Sequence, residues 1–130
     1  MTVRATGLAE RVAPIGLEAR RLGERACVVN VGTDLRRNEA PSVSEAAGQA
    51  AADGCREFVF DLTYISRYER VALGWMADLW ARLGDAGCDV FVAACEPGVV
   101  RDLCELPTHD GWTLLPSATR ALRALLSRPV

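Results

Sequence analysis

Four hydroxyl groups crowd into one short stretch of this 130-residue chain: Thr63, Tyr64, Ser66 and Tyr68 lie within residues 57–74, EFVFDLTYISRYERVALG. Asp61 and Glu69 bracket them, and Arg67 and Arg70 stand in or beside the same run. A hydroxyl does nucleophilic chemistry only next to a base that a third group orients. No such spacing occurs here, and neither a G-x-x-x-x-G-K-[ST] loop nor a G-x-G-x-x-G loop is present. The mixture of aromatic and cationic side chains has instead the composition of interface hot spots, where Tyr, Trp and Arg are enriched. Two loop tyrosines packed over a sheet edge would have the same composition, so both readings stand.

Five cysteines (27, 55, 88, 95 and 104) and one histidine, His109, are the remaining reactive groups. No two cysteines form a C-x-x-C pair and one histidine cannot complete a ligand set, so neither a metal nor another cofactor is expected. His109 sits in PTHDG, a turn composition that suits a solvated loop residue. In a reducing compartment the thiols should be mostly buried and behave as small hydrophobes. Cys55 and Cys88 each follow a glycine and stand just before an apolar run. Adjacent parallel strands would bring these two thiols to one edge, either as separate reduced groups or within disulfide reach. Cys95 and Glu96 follow the second of those apolar runs, on the opposite edge, where the hydroxyls also fall.

The elements that position these groups follow from hydrophobic period and punctuation. Residues 1–16 have no clear period and form an N-terminal arm, leaving 17–130 as one domain. Residues 17–22 and 26–31 are short runs separated by Gly23-Glu24-Arg25, which suits a hairpin. A polar loop over 32–41 leads to an alanine-rich helix, capped by Ser42 or Ser44 and stopped at Asp53-Gly54. Phe58-Val59-Phe60 and residues 90–94 are continuous apolar strands of the kind covered on both faces. A helix from about residue 71 to 83 lies between them, and Pro97 opens another that reaches about Leu106. Residues 112–115 form a last strand, and Ser117 caps a final helix. Trp75 and Trp80 are about 140° apart on their helix, so both cannot point squarely into one core. The order β-β-α-β-α-β-α-β-α implies an α/β fold with a mostly parallel sheet and helical crossovers. In such sheets, ligands and partners gather at the carboxyl ends of the strands, where residues 62–70 and 95–96 fall.

Composition narrows the function. Half the residues are hydrophobic and a quarter charged, as in ordinary globular domains. A net charge of −2 offers no footprint for nucleic acid or an anionic membrane. No run approaches the roughly 20 apolar residues of a membrane span, and no signal peptide is visible, so a cytoplasmic location is expected. All fifteen basic residues are arginine, a bias that fits a GC-rich bacterial genome.

Asp61-Leu62-Thr63, followed at Leu73-Gly74 by a closing L-G, resembles the central motif of STAS domains, the fold of bacterial anti-sigma-factor antagonists. There D-L-S is followed, after a few apolar residues, by D-S-S-G-L-G. Gly32 after the second strand, Pro41 at the first helix, Glu96-Pro97-Gly98-Val99-Val100, and Ser117 with the final A-L-x-x-L pattern agree in order. The resemblance spans roughly residues 17–127. It departs from the family where Gly32-Thr33-Asp34-Leu35 displaces an acid by one position. It departs more consequentially at Glu69-Arg70-Val71-Ala72, where Arg70 replaces the serine that a partner kinase phosphorylates.

The resemblance implies a non-enzymatic signalling domain of transcription regulation. Its partners would be an anti-sigma factor/serine kinase or other STAS proteins, with a homodimer left open. The implied binding surface comprises Tyr64, Ser66, Arg67, Tyr68, Glu69, Arg70, Val71, Cys95 and Glu96. Arg70 cannot accept phosphate, and a displaced phosphosite at Ser66 is the minority alternative. A cation near the positive end of a helix is unfavourable by itself, so Glu69 or Glu96 is expected to offset it. The rival function is a small-molecule or redox sensor using the strand-end edge and its cysteines.

Overall fold

The computed structural model describes residues 17–106 and 111–126. The arm at 1–16 and His109 therefore lie outside the described residues. A hairpin opens the fold: β1 (Glu18–Leu22) pairs antiparallel with β2 (Ala26–Asn30) around Gly23-Glu24-Arg25. Gly23 at φ +70° makes the left-handed step that glycine takes without steric cost. A two-residue strand, β3 (Asp34–Leu35), then precedes α1 (Ala40–Ala52). The chain continues through β4 (Glu57–Asp61), the short β5 (Arg67–Tyr68), α2 (Arg70–Asp85), β6 (Asp89–Ala93), α3 (Pro97–Cys104), β7 (Trp112–Leu115) and α4 (Ala118–Leu126).

The main sheet has the order β1-β2-β4-β6-β7, and every pair except β1–β2 is parallel. Phe58 and Phe60 of β4 stand level with Val90 and Val92 of β6, and all four are buried. Alternation along these strands divides the core. Cys27, Val29, Phe58, Phe60, Val90 and Val92 pack against α1, α2 and α3, while Val28 and Val59 meet Ala121 and Leu125 of α4. The helix α2 carries the largest contribution, with Leu73, Met76, Ala77, Trp80 and Leu83 buried at helical spacing. Trp80 lies 5.8 Å from Phe60 and 4.8 Å from Trp112, ring centre to ring centre. Trp75 takes the outward position at 44% exposure, which resolves the angular conflict between the two tryptophans. No helix among the described residues is long and apolar enough to cross a membrane.

Two local expectations change. Ser42 and Ser44 lie inside α1; Glu39 occupies its cap position, but its side chain accepts from the Arg36 N–H rather than from the first turn of the helix, and Pro41 sits in that turn. Proline fits there because its missing N–H would have had no helical acceptor. Within the loop expected at 32–41, Asp34 and Leu35 pair in parallel with Arg67 and Tyr68, forming a second, two-stranded sheet. At the other end of the chain, the expected cap is present: the Arg120 N–H donates to Ser117 Oγ at 3.1 Å.

Candidate functional site

The site grows from the end of β4. Asp61, only 7% exposed, accepts hydrogen bonds at Oδ1 from the Thr63 N–H (3.0 Å) and the Thr63 hydroxyl. That turn bends the chain out of the sheet, and buried Ile65 anchors the loop below. Tyr64 is left on the surface at 51% exposure. The backbone N–H groups of Ser66 and Arg67 donate to Thr33 O, and that of Glu69 to Leu35 O. The small β3–β5 sheet thus fastens the loop to the segment after β2. Ser66 is exposed, and its hydroxyl also donates to Thr33 O at 3.3 Å. It lies in the loop beyond β4, directly before β5 and four residues short of the helix start at Arg70.

Charges around the start of α2 are paired by residues distant in sequence. Glu69 occupies the cap position but turns its carboxylate to Arg37, accepting from the Arg37 backbone N–H at 2.8 Å and from its guanidinium at 3.0 Å. The Arg37 bonds hold the Glu69 carboxyl below its ordinary range. Glu96 is also committed elsewhere, because it caps α3 by accepting from the Gly98 N–H at 2.6 Å. Neither acid offsets Arg70, contrary to expectation. Its guanidinium instead donates to Glu105 Oε1 at 3.2 Å and lies 3.6 Å from Asp102 Oδ1, both from the end of α3. These α3 acids supply the compensation that a cation at a helix N-terminus requires.

Asp102 is the hub of this arrangement. It is 6% exposed, receives the Tyr68 hydroxyl at 2.6 Å, and has Arg101 at 3.7 Å as a second cation. The bond from Tyr68 is the main reason its carboxyl is held below the ordinary value, with Arg70 and Arg101 adding to it. The same bond, with burial and the charge of Asp102, pushes the Tyr68 phenol up to about 12. Tyr68 is therefore a half-buried strut between β5 and α3.

The surface above this framework includes exposed Tyr64, Ser66, Arg67, Arg70 and Val71, followed one turn later by Trp75. Cys95 is exposed beside the loop, 4.0 Å from Thr63 O, and Glu96 is half-buried. The structure thus gathers all nine residues singled out from sequence at one edge, although Tyr68, Glu69 and Glu96 face inward to partners. Sequence reasoning missed Arg37, Asp102 and Glu105, whose contacts span 32 to 35 residues. The angular spacing of Trp75 and Trp80 signalled that one of them would leave the core without saying which, and the structure makes it Trp75.

No disulfide joins any of the five cysteines: Cys27, Cys55 and Cys88 are buried, and Cys95 and Cys104 are exposed. No disulfide joins Cys55 to Cys88, and the thiol affecting Cys27 is that of Cys55. Burial is the first cause raising both the Cys27 and Cys88 thiols, a direction that disfavours thiolate chemistry. A cavity of about 410 Å³ lies away from the strand-end edge, between the β1–β2 hairpin and α4, and is lined in part by Leu22, Arg25, Leu122 and Leu125.

No family model and no curated protein matches this chain. Solved structures do. An anti-sigma factor antagonist from Mycobacterium paratuberculosis superposes with a TM-score of 0.66 and 23% identity, over 86% of this chain and 94% of that one. The anti-sigma factor antagonist SpoIIAA in its unphosphorylated form gives 0.71 at 9% identity, over 88% and 100%. The phosphorylated form of the Bacillus cell fate determinant SpoIIAA gives 0.67 at 7% identity, over 85% and 99%. These likenesses establish that the chain has the SpoIIAA-like STAS fold, with its mostly parallel central sheet.

Proposed function

We propose that this chain is a regulatory protein–protein interaction domain of the anti-sigma-factor-antagonist type, or a STAS scaffold, with no chemistry of its own. Its partner would be an anti-sigma factor with serine kinase character or another STAS domain, met in the cytoplasm. One observation carries the reading. Tyr64, Val71 and Trp75 are exposed large apolar side chains at the strand-end edge, beside arginines that neighbouring elements hold in place. Exposed aromatic and arginine side chains on a braced scaffold are the material of binding hot spots. Arg70 at the helix start leaves no hydroxyl there to phosphorylate, so the surface is held in a single charge state.

Affinity for a candidate anti-sigma factor, measured beside thermal stability, tests the surface. Trp75→Ala and Arg70→Glu should each weaken binding about tenfold or more while the fold stays intact. Arg123→Glu on α4 should leave binding unchanged. Equal and negligible losses in all three variants would remove this edge as the binding surface. Incubation with ATP and the cognate kinase should leave the intact mass unchanged. A phosphoryl group mapped to Ser66 or Thr63 would show a displaced switch.

A further inference from the structure

Five large hydrophobic side chains are exposed among the described residues: Tyr64, Val71 and Trp75 at the strand-end edge, Leu22 at the end of β1 and Leu17 just before it. The second group belongs to a different surface. β1 is an edge strand whose only paired neighbour among the described residues is β2. All five of its side chains are exposed, whereas Cys27, Val28 and Val29 of β2 are buried. The sheet thus extends one strand beyond its core, and that strand's outer edge has N–H and C=O groups with no partner strand among the described residues, open to another strand.

Residues 17–22 read Leu-Glu-Ala-Arg-Arg-Leu. Glu18 and Arg20 are two positions apart and so share a face. Neither side chain has an ion-pair or hydrogen-bond partner among the described residues, while Arg21 donates to Glu24 O within the hairpin. A strand pairs antiparallel with its own copy, faces preserved, about a two-fold axis normal to the sheet that passes through one residue. An axis through Glu18, Arg20 or Arg21 would set like charges against each other. An axis through Ala19 sets Glu18 opposite Arg20 of the second copy twice over, with a small side chain at the centre. It also lays Leu17 along the aliphatic stem of Arg21 of the second copy.

We propose that β1 is the docking edge for a second copy of this chain, the two strands pairing antiparallel about Ala19 to join two sheets into one. The charge complementarity of this single register selects the occupant. The edge is separate from the surface assigned above to a regulatory partner, so neither assignment depends on the other.

Sedimentation of the full chain over a concentration series should show a monomer–dimer equilibrium. Arg20→Glu and Glu18→Arg should each weaken the dimer by about tenfold, because each replaces two attractive pairs with two repulsive ones. The double variant Glu18→Arg/Arg20→Glu should restore it. In a Cys95→Ser/Cys104→Ser background, Ala19→Cys should crosslink readily through a short bifunctional thiol reagent. Arg21→Cys, whose two copies lie well apart along the paired strands, should crosslink poorly. A chain that stays monomeric overturns the proposal, as does a dimer indifferent to both single charge variants. Slow amide exchange along β1 in a monomeric chain would overturn it as well and would assign the edge to residues 1–16.

Discussion

The two surfaces that expose large apolar side chains are built in opposite ways. At the strand-end edge, Glu69, Arg70, Tyr68 and Asp102 are tied to groups on other elements, so the exposed Tyr64, Val71 and Trp75 sit on a fixed frame. Along β1, Glu18 and Arg20 carry charges with no partner among the described residues, on a strand that the described residues hold from one side only. Order at the first surface is settled before any partner arrives, which lowers the entropic cost of docking. The second has backbone and charged groups without partners among the described residues, and its side chains would become ordered during association. The contrast separates a rigid recognition surface from an edge whose pairing is incomplete.

Among substitutions, the largest effect should come from the core beneath the strand-end edge. Phe60→Ala removes a fully buried ring in contact with Trp80 and should cost about 3–5 kcal/mol in a denaturant titration. A loss comparable to that of an exposed residue would mean that the strand-end edge rests on something other than this sheet. Tyr68→Phe removes one bond from the frame and should cost about 1–2 kcal/mol. Partner affinity should then fall with it if the frame fixes the docking surface.

In Tyr64→Phe, which leaves Tyr68 as the chain's single tyrosine, phenolate absorbance should rise with a midpoint about 12, and Asp102→Asn should lower it. The folded phenol titrates above the unfolded one, so Tyr68 contributes stability below the unfolded value, ordinarily 10.0, that is lost as pH climbs towards about 12. Asp102 has the opposite sign. Its folded value is depressed below the ordinary 3.8, so its contribution is present above that pH and lost as pH falls through the lower folded value. Acid unfolding should accordingly be less steep in Asp102→Asn than in the parent chain.

The smallest effect distinguishes two glycines of α2. An added Cβ at Gly74 meets nothing within 4 Å, so Gly74→Ala should stabilise the helix by about 0.5–1 kcal/mol. At Gly84 the same Cβ would lie 3.1 Å from the backbone of Gly111, which itself has φ +94°. Gly84→Ala should therefore melt at a lower temperature than Gly74→Ala. Equal melting temperatures would show that the turn before β7 can yield.

What the sequence disclosed and what it concealed divide by range. The apolar runs at Phe58–Phe60 and Val90–Val92, the hairpin around Gly23 and the cap at Ser117 are local signals, and the structure has each of them. The Asp61-Leu62-Thr63 motif placed the strand end because an acid and a hydroxyl two residues apart close a turn on themselves. The compensation of Arg70 was assigned to Glu69 or Glu96 because those acids were near in sequence or in the expected strand order. The actual acids come from the last turn of α3 and the residue after it, a placement that depends on how α3 crosses α2. The β3–β5 sheet was equally hidden, since two-residue strands have no period to detect.

The placement of the tryptophans gives the domain its own optical reporter. Trp80 and Trp112 are shut into the core 4.8 Å apart, while Trp75 stands in solvent on the proposed recognition surface. A water-soluble collisional quencher such as acrylamide should therefore reach one indole much more readily than the other two. Covering Trp75 would remove that accessible fraction, so partner engagement becomes visible as lost quenching in the unlabelled protein.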